Sequence, residues 1–185
     1  MKKNLSLLSL LLLLASTSFA QGKLLAKNSH VGFFSHTTIE DIKADNNQAS
    51  SILDTQSGEI VINILMKSFK FERALMEEHF NENYVESDKF PKSVFKGKIS
   101  NIATVDFNKE GSYPVEIEGE MTIHGSTKAF KTKGSIDIKE GKIVGKSKFQ
   151  LNPQDYNIVY PGVVKEKFAE NFDITVELNY ASMNK

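Results

Sequence analysis

Four histidines and one acidic cluster are the residues of this chain that could do chemistry. Residues 77–79 read Glu-Glu-His, and the other histidines are His30, His36 and His124. A metal site would need three or more such side chains to converge at about 2 Å from one ion. His30 and His36 fall on the same side of a predicted strand, but their separation in sequence places them roughly 20 Å apart. The spacings therefore predict no metal site.

Known catalytic motifs are also missing from the sequence. It contains no cysteine nucleophile, no Gly-x-Ser-x-Gly elbow and no phosphate-binding glycine loop. His79 could serve as a general base in a pocket, although a histidine packed on a helix or exposed at the surface is the more common state. His124 is interpreted as a turn residue. The sequence favours a protein that is not an enzyme and has no cofactor.

The N-terminus has the three parts of a secretory signal peptide. Lys2 and Lys3 form a positive end, a largely apolar run of 11 residues follows from Leu5 to Ala15, and residues 18–20 supply a small-residue cleavage pattern. The apolar run is too short to span a bilayer comfortably. We predict that residues 1–20 are removed, that residues 21–185 form one domain, and that this domain is periplasmic or secreted.

The composition of the exported domain bears on its partners and on how it is stabilised. Removing the two leader lysines from the 23 basic residues leaves 21 against 23 acidic ones, so nothing indicates a nucleic-acid partner. The chain has no cysteine and therefore no disulfide, although export would permit one. Its stability must come from burial.

The elements that must position any site are alternating strands. From Tyr113 to Ile123 the odd positions are apolar or small while the even ones are mostly glutamate, which is typical of a strand with one wet face. The same alternation returns in residues 130–138, 143–151 and 172–180. A sheet this one-sided must close on itself or be covered. The pattern predicts a mainly β fold, an antiparallel barrel of about eight strands.

Two tight turns predict the pairing of these strands. A hairpin at His124 and Gly125 would place Glu118 opposite Lys131 on the wet face and Gly119 opposite Phe130 on the dry face. A second hairpin at residues 140–141 would pair Ile136 with Gly145 and Ile138 with Ile143, but it would also oppose Lys133 and Lys148. The second register is therefore the less secure one.

Four glycines fall on the inward face of these strands, and they have two explanations. Glycine permits the sharp coiling that a small barrel needs to close. It also leaves space that a side chain would fill, and a barrel of about eight strands can hold one small ligand. The two explanations are compatible, and both stay open for Gly97, Gly119, Gly134 and Gly145.

The first half of the chain is less regular. Residues 30–43, 48–54 and 58–69 are predicted strands, with a turn at residues 45–47, Asp-Asn-Asn. A strand is predicted over residues 93–103. One short amphipathic helix is predicted over residues 71–81, either across the barrel mouth or against its side. In the late aromatic loop, residues 155–168, we expect tyrosines exposed along the rim.

Two segments resemble the YceI-like family of secreted lipid-binding proteins. They are HFNENYVESDKFPKSVFKGKI, residues 79–99, and GEMTIHGSTKAF, residues 119–130. The first is similar to the family's pattern of a histidine, an aromatic-acidic stretch, a proline and a strand phenylalanine. The second is similar to its strand, His-Gly turn and Thr-Lys segment. Looser similarity extends over residues 23–180.

The resemblance implies a lipocalin-like barrel with a helix beside it, enclosing a long apolar pocket for a polyisoprenoid chain such as a quinone tail. It makes residues 21–185 a YceI-like lipid-binding domain, with an apolar lipid as ligand and with transient membrane contact. We expect the ligand to touch inward-facing apolar residues of the strands and the helix. They are Met76, Phe80, Phe95, Ile117, Met121, Phe130, Phe149 and Ile174.

Three functions remain after these steps. The first is non-catalytic binding, carriage or storage of an apolar isoprenoid lipid or similar amphiphile in the periplasm. The second is a structural or interaction module whose barrel is filled solid and whose function lies on its outer face. The third and weakest is a hydrolase or isomerase that uses His79 on a bound apolar substrate.

Overall fold

The alternating strands close into an antiparallel barrel, as predicted. The computed structural model describes residues 22–182, so the predicted signal peptide lies outside the described residues. Within them, the strands are β1 (Lys23–His36), β2 (Asp41–Asp54), β3 (Glu59–Leu65), β4 (Phe69–Phe71), β5 (Lys92–Ile99), β6 (Gly111–Ile123), β7 (Ser126–Lys139), β8 (Lys142–Leu151) and β9 (Phe172–Ser182).

Eight of these strands form the ring. Its order is β1-β9-β8-β7-β6-β5-β3-β2, and pairing of β2 with β1 closes it. β4 continues the edge of β3 and pairs with β2 between Ala44 and Asn46. The prediction of a mainly β barrel of about eight strands with one short helix is confirmed. No helix within residues 22–182 is long and apolar enough to cross a membrane.

Both predicted hairpins are confirmed residue by residue. In β6 and β7, Glu118 lies opposite Lys131 and Gly119 opposite Phe130, and His124 and Gly125 have positive φ angles of 50° and 74°. Positive φ at both loop residues matches the right-handed twist of the strands, which is why Asn, Asp, His and Gly are favoured there. In β7 and β8, Ile136 lies opposite Gly145, but the pairing stops before Lys133 and Lys148 meet.

Three of the four inward glycines are explained by close backbone approach. A Cβ on Gly119 would lie 2.3 Å from the carbonyl oxygen of Lys96, and one on Gly97 would lie 2.3 Å from that of Glu118. Gly134 has a similar conflict, at 2.4 Å from the carbonyl oxygen of Lys146. The coiling of the sheet therefore requires glycine at these positions. Gly145 differs, because the space above it is taken by the ring of Tyr180, 3.1 Å away.

The predicted turn at residues 45–47 is wrong. The chain turns instead at residues 37–40, where the hydroxyl of Thr37 accepts from the backbone N–H groups of Ile39 and Glu40. Asn46 is buried inside β2 at a shift of register opposite β1; its side chain donates to the carbonyl of Leu65 and accepts from the N–H of Gln48. The Asp-Asn-Asn sequence marks a β-bulge, in which a short polar side chain satisfies backbone groups that the ladder leaves unpaired.

The remaining boundaries shift by a few residues, and one expectation about exposure is wrong. The predicted helix appears as α1 (Ala74–His79) followed by a wider turn at Phe80–Tyr84. β5 ends at Ile99, and the chain continues into a short 3₁₀ turn at Ile102–Thr104. Tyr156 and Tyr160 of the late loop are buried and not exposed along a rim. Two 3₁₀ segments, Pro153–Tyr156 and Gly162–Lys167, fold this loop over the barrel.

Candidate functional site

An apolar cavity of about 430 Å³ runs inside the barrel. This volume lies within the range of roughly 300–1,000 Å³ typical of ligand pockets. The inward faces of the ring strands supply most of its wall; Ile60, Ile62 and Ile64 of β3 are an example. The helix and the late loop supply the rest. The interior of the barrel is therefore not filled solid by side chains.

All eight residues predicted to contact a ligand line this cavity. Six of them come from strands and two from the helical segment that begins with α1. Met121 is 9% exposed and Phe95 is 6% exposed, so these two side chains pack against their neighbours as well as facing the cavity. Their contact with a ligand stays a prediction. The residues are Met76, Phe80, Phe95, Ile117, Met121, Phe130, Phe149 and Ile174.

The helical segment lies at the cavity, which answers the question of where it docks. Met76, His79 and Phe80 all face the cavity, while Leu75 faces it and is 60% exposed. Arg73, the residue before the helix, also belongs to the lining. Since several residues of this segment both line the cavity and are exposed, it covers one end of the cavity, which we call the mouth.

An aromatic cluster near the mouth was missed by the sequence reasoning. The ring of Phe33 in β1 lies 5.4 to 5.7 Å from four other phenylalanine rings, edge-on to that of Phe71 and tilted against the other three. Phe33 shares the inward parity of Val31, so its position could have been found once β1 was placed correctly. Its four ring partners are Phe69, Phe71, Phe80 and Phe172.

The late loop adds a second group of rings to the lining. Tyr160 stacks on Phe168 with ring centroids 3.9 Å apart, and Tyr84 meets Phe168 edge-on at 5.3 Å. Burial raises the pKa of Tyr160, and the neighbouring Tyr84 acts in the same direction. Both hydroxyls therefore stay neutral at physiological pH. The late loop contributes apolar area to the site and no charge of its own at these positions.

Ion pairs tie together the segments that surround the mouth. Glu40, in the β1–β2 turn, accepts a hydrogen bond from Arg73 and lies 3.7 Å from Nζ of Lys167. The hydrogen bond from Arg73 is the largest cause that holds the pKa of Glu40 below its usual value. Glu40 is thus the carboxylate that joins the turn, the start of α1 and the 3₁₀ segment Gly162–Lys167.

Three of the four histidines are paired with carboxylates. Nε2 of His30 lies 2.8 Å from Asp45, Nδ1 of His36 lies 2.5 Å from Asp41, and Nε2 of His124 lies 2.8 Å from Glu86. The ring of His124 also bonds the carbonyl of Tyr156 at 3.2 Å, so it holds the late loop as well as serving the hairpin. Within residues 22–182, no group of three or more His, Asp or Glu side chains could hold a metal ion.

The cavity offers burial of apolar surface and little else. His79 faces it beside Met76. Charged side chains reach the lining at the mouth, through Glu40, Arg73 and Lys167, and at one point of the wall, through Lys146. Such a site can hold an apolar chain by its length, and among the described residues it presents Asp, Glu, Lys or Arg side chains only at these two places.

The fold and the cavity together place this protein in the class of lipocalin-like barrels with an apolar interior. The sequence model of the YceI-like domain matches residues 23–180, and the chain belongs to this family. No protein with curated annotation matches the chain.

Solved structures share the fold at low sequence identity. A polyisoprenoid-binding domain from Saccharophagus degradans, implicated in plant cell wall breakdown, superposes with a TM-score of 0.74 at 13% identity, covering 88% of this chain and 99% of that one. BcnA of Burkholderia cenocepacia gives 0.68 at 13% identity, with 83% and 96% covered. A YCEI protein from Campylobacter jejuni gives 0.56 at 18% identity, with 80% and 90% covered. These likenesses extend over nearly the whole barrel.

Proposed function

We propose that this protein binds an apolar isoprenoid lipid, such as a quinone tail, or a similar amphiphile inside the barrel without transforming it. The observation that carries the proposal is the cavity, whose wall is apolar along its length. Membership of the YceI-like family and the polyisoprenoid-binding relative from Saccharophagus degradans support this class of ligand. The alternative, a structural module with a filled barrel, does not account for the open interior.

The size of the cavity is sufficient for useful affinity. At about 30 Å³ per methylene-sized group, close to the volume of a liquid water molecule, 430 Å³ accommodates roughly 14 groups. Each contributes about 0.8 kcal/mol on leaving water, so gross stabilisation is on the order of 11 kcal/mol. Ordering and docking the chain cost several kcal/mol. The remainder corresponds to binding in the millimolar to micromolar range, and each further buried group strengthens it.

The carrier works outside the cytoplasm in this proposal. The predicted signal peptide, residues 1–20, supports export to the periplasm or beyond. A water-insoluble cargo must be moved between membranes or held in reserve there. Export is checked by the mass of the protein in the periplasmic fraction, which should begin at Gln21; retention of Met1 in a membrane fraction would contradict it.

Transient contact with a membrane is part of the same proposal. Three segments tied together by Glu40 each expose an aliphatic side chain beside the mouth: Ile39 is 57% exposed, Leu75 60% and Val163 93%. Isolated exposed aliphatics are ordinary, but three around the opening of an apolar cavity form one patch. Such a patch would place the mouth at the interface of a bilayer, where the cargo is dissolved.

Native mass spectrometry of protein purified gently from its own periplasm tests the ligand. We expect a co-purifying apolar molecule of several hundred daltons, released by organic extraction. A bare polypeptide that also fails to take up an added isoprenoid would contradict the proposal. Replacing His79 by alanine should leave lipid content unchanged; conversion of the bound lipid that depends on His79 would instead favour the hydrolase or isomerase.

A further inference from the structure

The pairing of β7 with β8 stops halfway along the barrel. From the hairpin it extends only to Gly134 and Ser147. β7 continues to Ser126 and β8 to Leu151, yet the register of the two strands ends at that pair. The wall of the barrel therefore lacks strand pairing between residues 126–133 and residues 148–156, a stretch that we call the lateral slit.

Specific contacts close both ends of the lateral slit. At the lower end, the hydroxyl of Ser147 donates to the carbonyl of Lys133 at 2.8 Å. At the upper end, the side-chain amide of Asn157 donates to the hydroxyl of Ser126 at 2.6 Å. Seven residues of extended strand between Ser126 and Lys133 make the slit roughly 20 Å long. The opening has the shape of an extended chain and is not a round hole.

Two phenylalanine rings cover the slit from the inside. Phe130 of β7 and Phe149 of β8 meet edge-on with ring centroids 4.7 Å apart, and both line the cavity. Each side chain is only half-buried. The two edges are held together here by side-chain packing instead of ladder hydrogen bonds. Rings that turn aside leave no broken backbone bond behind, so the edges can separate at low cost.

The cavity and the outside are nearly continuous at the lower end of the slit. A second depression of about 280 Å³ lies on the outer surface there. Ser147 and Val176 face the interior by strand parity yet also line the depression, whereas Ser135 and Lys146 face outward yet also line the cavity. These four residues therefore line both spaces, which adjoin at this end of the slit.

Lysines follow both open edges. Lys128 and Lys133 on β7 and Lys148 on β8 are exposed and, within residues 22–182, have no ion-pair partner, while Lys131 pairs with Glu118 at 3.1 Å. Lysines on an unpaired edge discourage another strand from adding to it. The open edges are thus protected from strand addition and are not built to receive a peptide.

We propose that the lateral slit is the passage by which the ligand's chain enters and leaves the barrel sideways. This rests on the proposed lipid-binding function. The mouth is held by the ion pairs of Glu40, and end-on threading would require the whole chain to pass between the segments that they join. Sideways passage requires only that Phe130 and Phe149 part, and the length of the slit then admits many carbons at once.

The absence of cysteine from the chain makes a cross-link the direct test. Lys133→Cys with Lys148→Cys places a thiol on each edge, at the pair that would come next in the register. A disulfide requires the two Cα atoms to lie within about 7 Å, so its formation stops the two edges from separating at the lower part of the slit, directly beside Phe149. The matched control is Lys139→Cys with Lys142→Cys, which removes two lysines from the same strands where they are already paired.

The measurement is the rate at which lipid-free protein takes up retinol, a fluorescent isoprenoid alcohol, from phosphatidylcholine vesicles. We expect the oxidised slit variant to load at least tenfold more slowly than its reduced form, with the same retinol content at equilibrium. The oxidised and reduced control should load alike. Equal rates for the oxidised and the reduced slit variant would overturn the proposal that the ligand passes through the slit.

A second variant tests the same proposal if the disulfide does not form. Lys148→Cys carrying a bulky maleimide dye should load more slowly than Lys142→Cys carrying the same dye, and equal rates would again overturn the proposal. If neither protein takes up retinol or any other isoprenoid at equilibrium, the lipid-binding function itself fails. If both bind it at unchanged rates, only the slit is excluded.

Discussion

Met121 is the residue at which occupancy of the cavity is most simply tested. It faces the cavity from β6, opposite Phe95, and is almost fully buried. We predict that Met121→Trp lowers the amount of lipid retained more than it lowers the melting temperature, because the larger ring occupies the space of the ligand. Overpacking alone costs about 1–3 kcal/mol, so melting must be measured with binding.

Leu24 supplies the control for this substitution. It is buried to the same 9% exposure, belongs to the same hydrophobic core and does not line the cavity. Leu24→Trp should therefore lower stability by a similar amount and leave lipid retention unchanged. If lipid retention falls equally in both variants, or if it falls in neither, Met121 does not belong to the site.

Glu40 sets a dependence of stability on pH at the mouth. Its pKa is lowered in the folded protein, chiefly by the hydrogen bond from Arg73, so its ion pairs stabilise the fold at pH above the unfolded value of 4.5. That stabilisation is lost as the pH falls through the lowered pKa. We predict that Glu40→Gln lowers the melting temperature at pH 7 and that its difference from the unmodified protein shrinks below pH 4.5.

An exposed glutamate of α1 gives the comparison. Glu78 lies on α1 and makes no ion pair within residues 22–182, so Glu78→Gln should change the melting temperature little at either pH. A Glu40 variant that melts like the Glu78 variant at pH 7 would show that the mouth is not held by this carboxylate.

At the scale of elements, β5 and β6 depend on two glycines that face each other. Gly97 lies opposite Gly119, and a Cβ on Gly119 would come within 2.5 Å of the Cα of Gly97. We predict that Gly119→Ala lowers the free energy of unfolding by about 2 kcal/mol or more, because the conflict is with backbone that cannot move alone. Gly145→Ala should cost much less, since its nearest neighbour is the ring of Tyr180 at 3.1 Å. Denaturant unfolding of the two variants measures the difference, and equal losses would contradict it.

Elements joined by short turns could be predicted from the sequence. The registers of β6 with β7 and of β7 with β8 follow from two-residue loops and from alternation alone, and the structure confirms them. All eight predicted lining residues lie on the predicted inward faces of strands or on the helix. Local pattern was sufficient there because neighbours in sequence are neighbours in the sheet.

Elements that depend on distant partners could not be predicted in the same way. Asn46 looks like a turn residue until its partner Leu65, on another strand, is known. The burial of Tyr160 depends on Tyr84 of the helical segment and on Phe168 at the far end of the late loop. The lateral slit is also invisible in the alternation, which includes residues 130–133 and 148–151 although the pairing has ended.

At the scale of the whole molecule, the mouth and the lateral slit lie toward the same end of the barrel. β1 ends and β2 begins at the mouth, and β7 begins and β8 ends at that same end of the antiparallel sheet. The apolar patch of Ile39, Leu75 and Val163 lies on the three segments that Glu40 joins at the mouth. A protein that rests on a bilayer through this patch would bring the upper end of the slit close to the lipid.

Membrane contact through this patch is testable with vesicles. We predict that Leu75→Gln and Val163→Gln each weaken binding to phosphatidylcholine vesicles roughly tenfold, which corresponds to about 1.4 kcal/mol of lost apolar burial per side chain. Ile52→Gln is the control, because Ile52 is 43% exposed and lies roughly 40 Å along β2 from Glu40. Flotation of the vesicles measures the fraction of the protein that is bound to them.

The lipid composition of the vesicles separates apolar docking from attraction by charge. Residues 37–41, 72–79 and 162–167, which surround the mouth, carry six acidic side chains and three basic ones. Anionic lipid should therefore not strengthen binding, and added salt should not weaken it. Binding that requires anionic vesicles and disappears in salt would place the contact on the lysine-bearing edges of β7 and β8 instead. In that case the Gln variants at Leu75 and Val163 would bind as well as the Ile52 control.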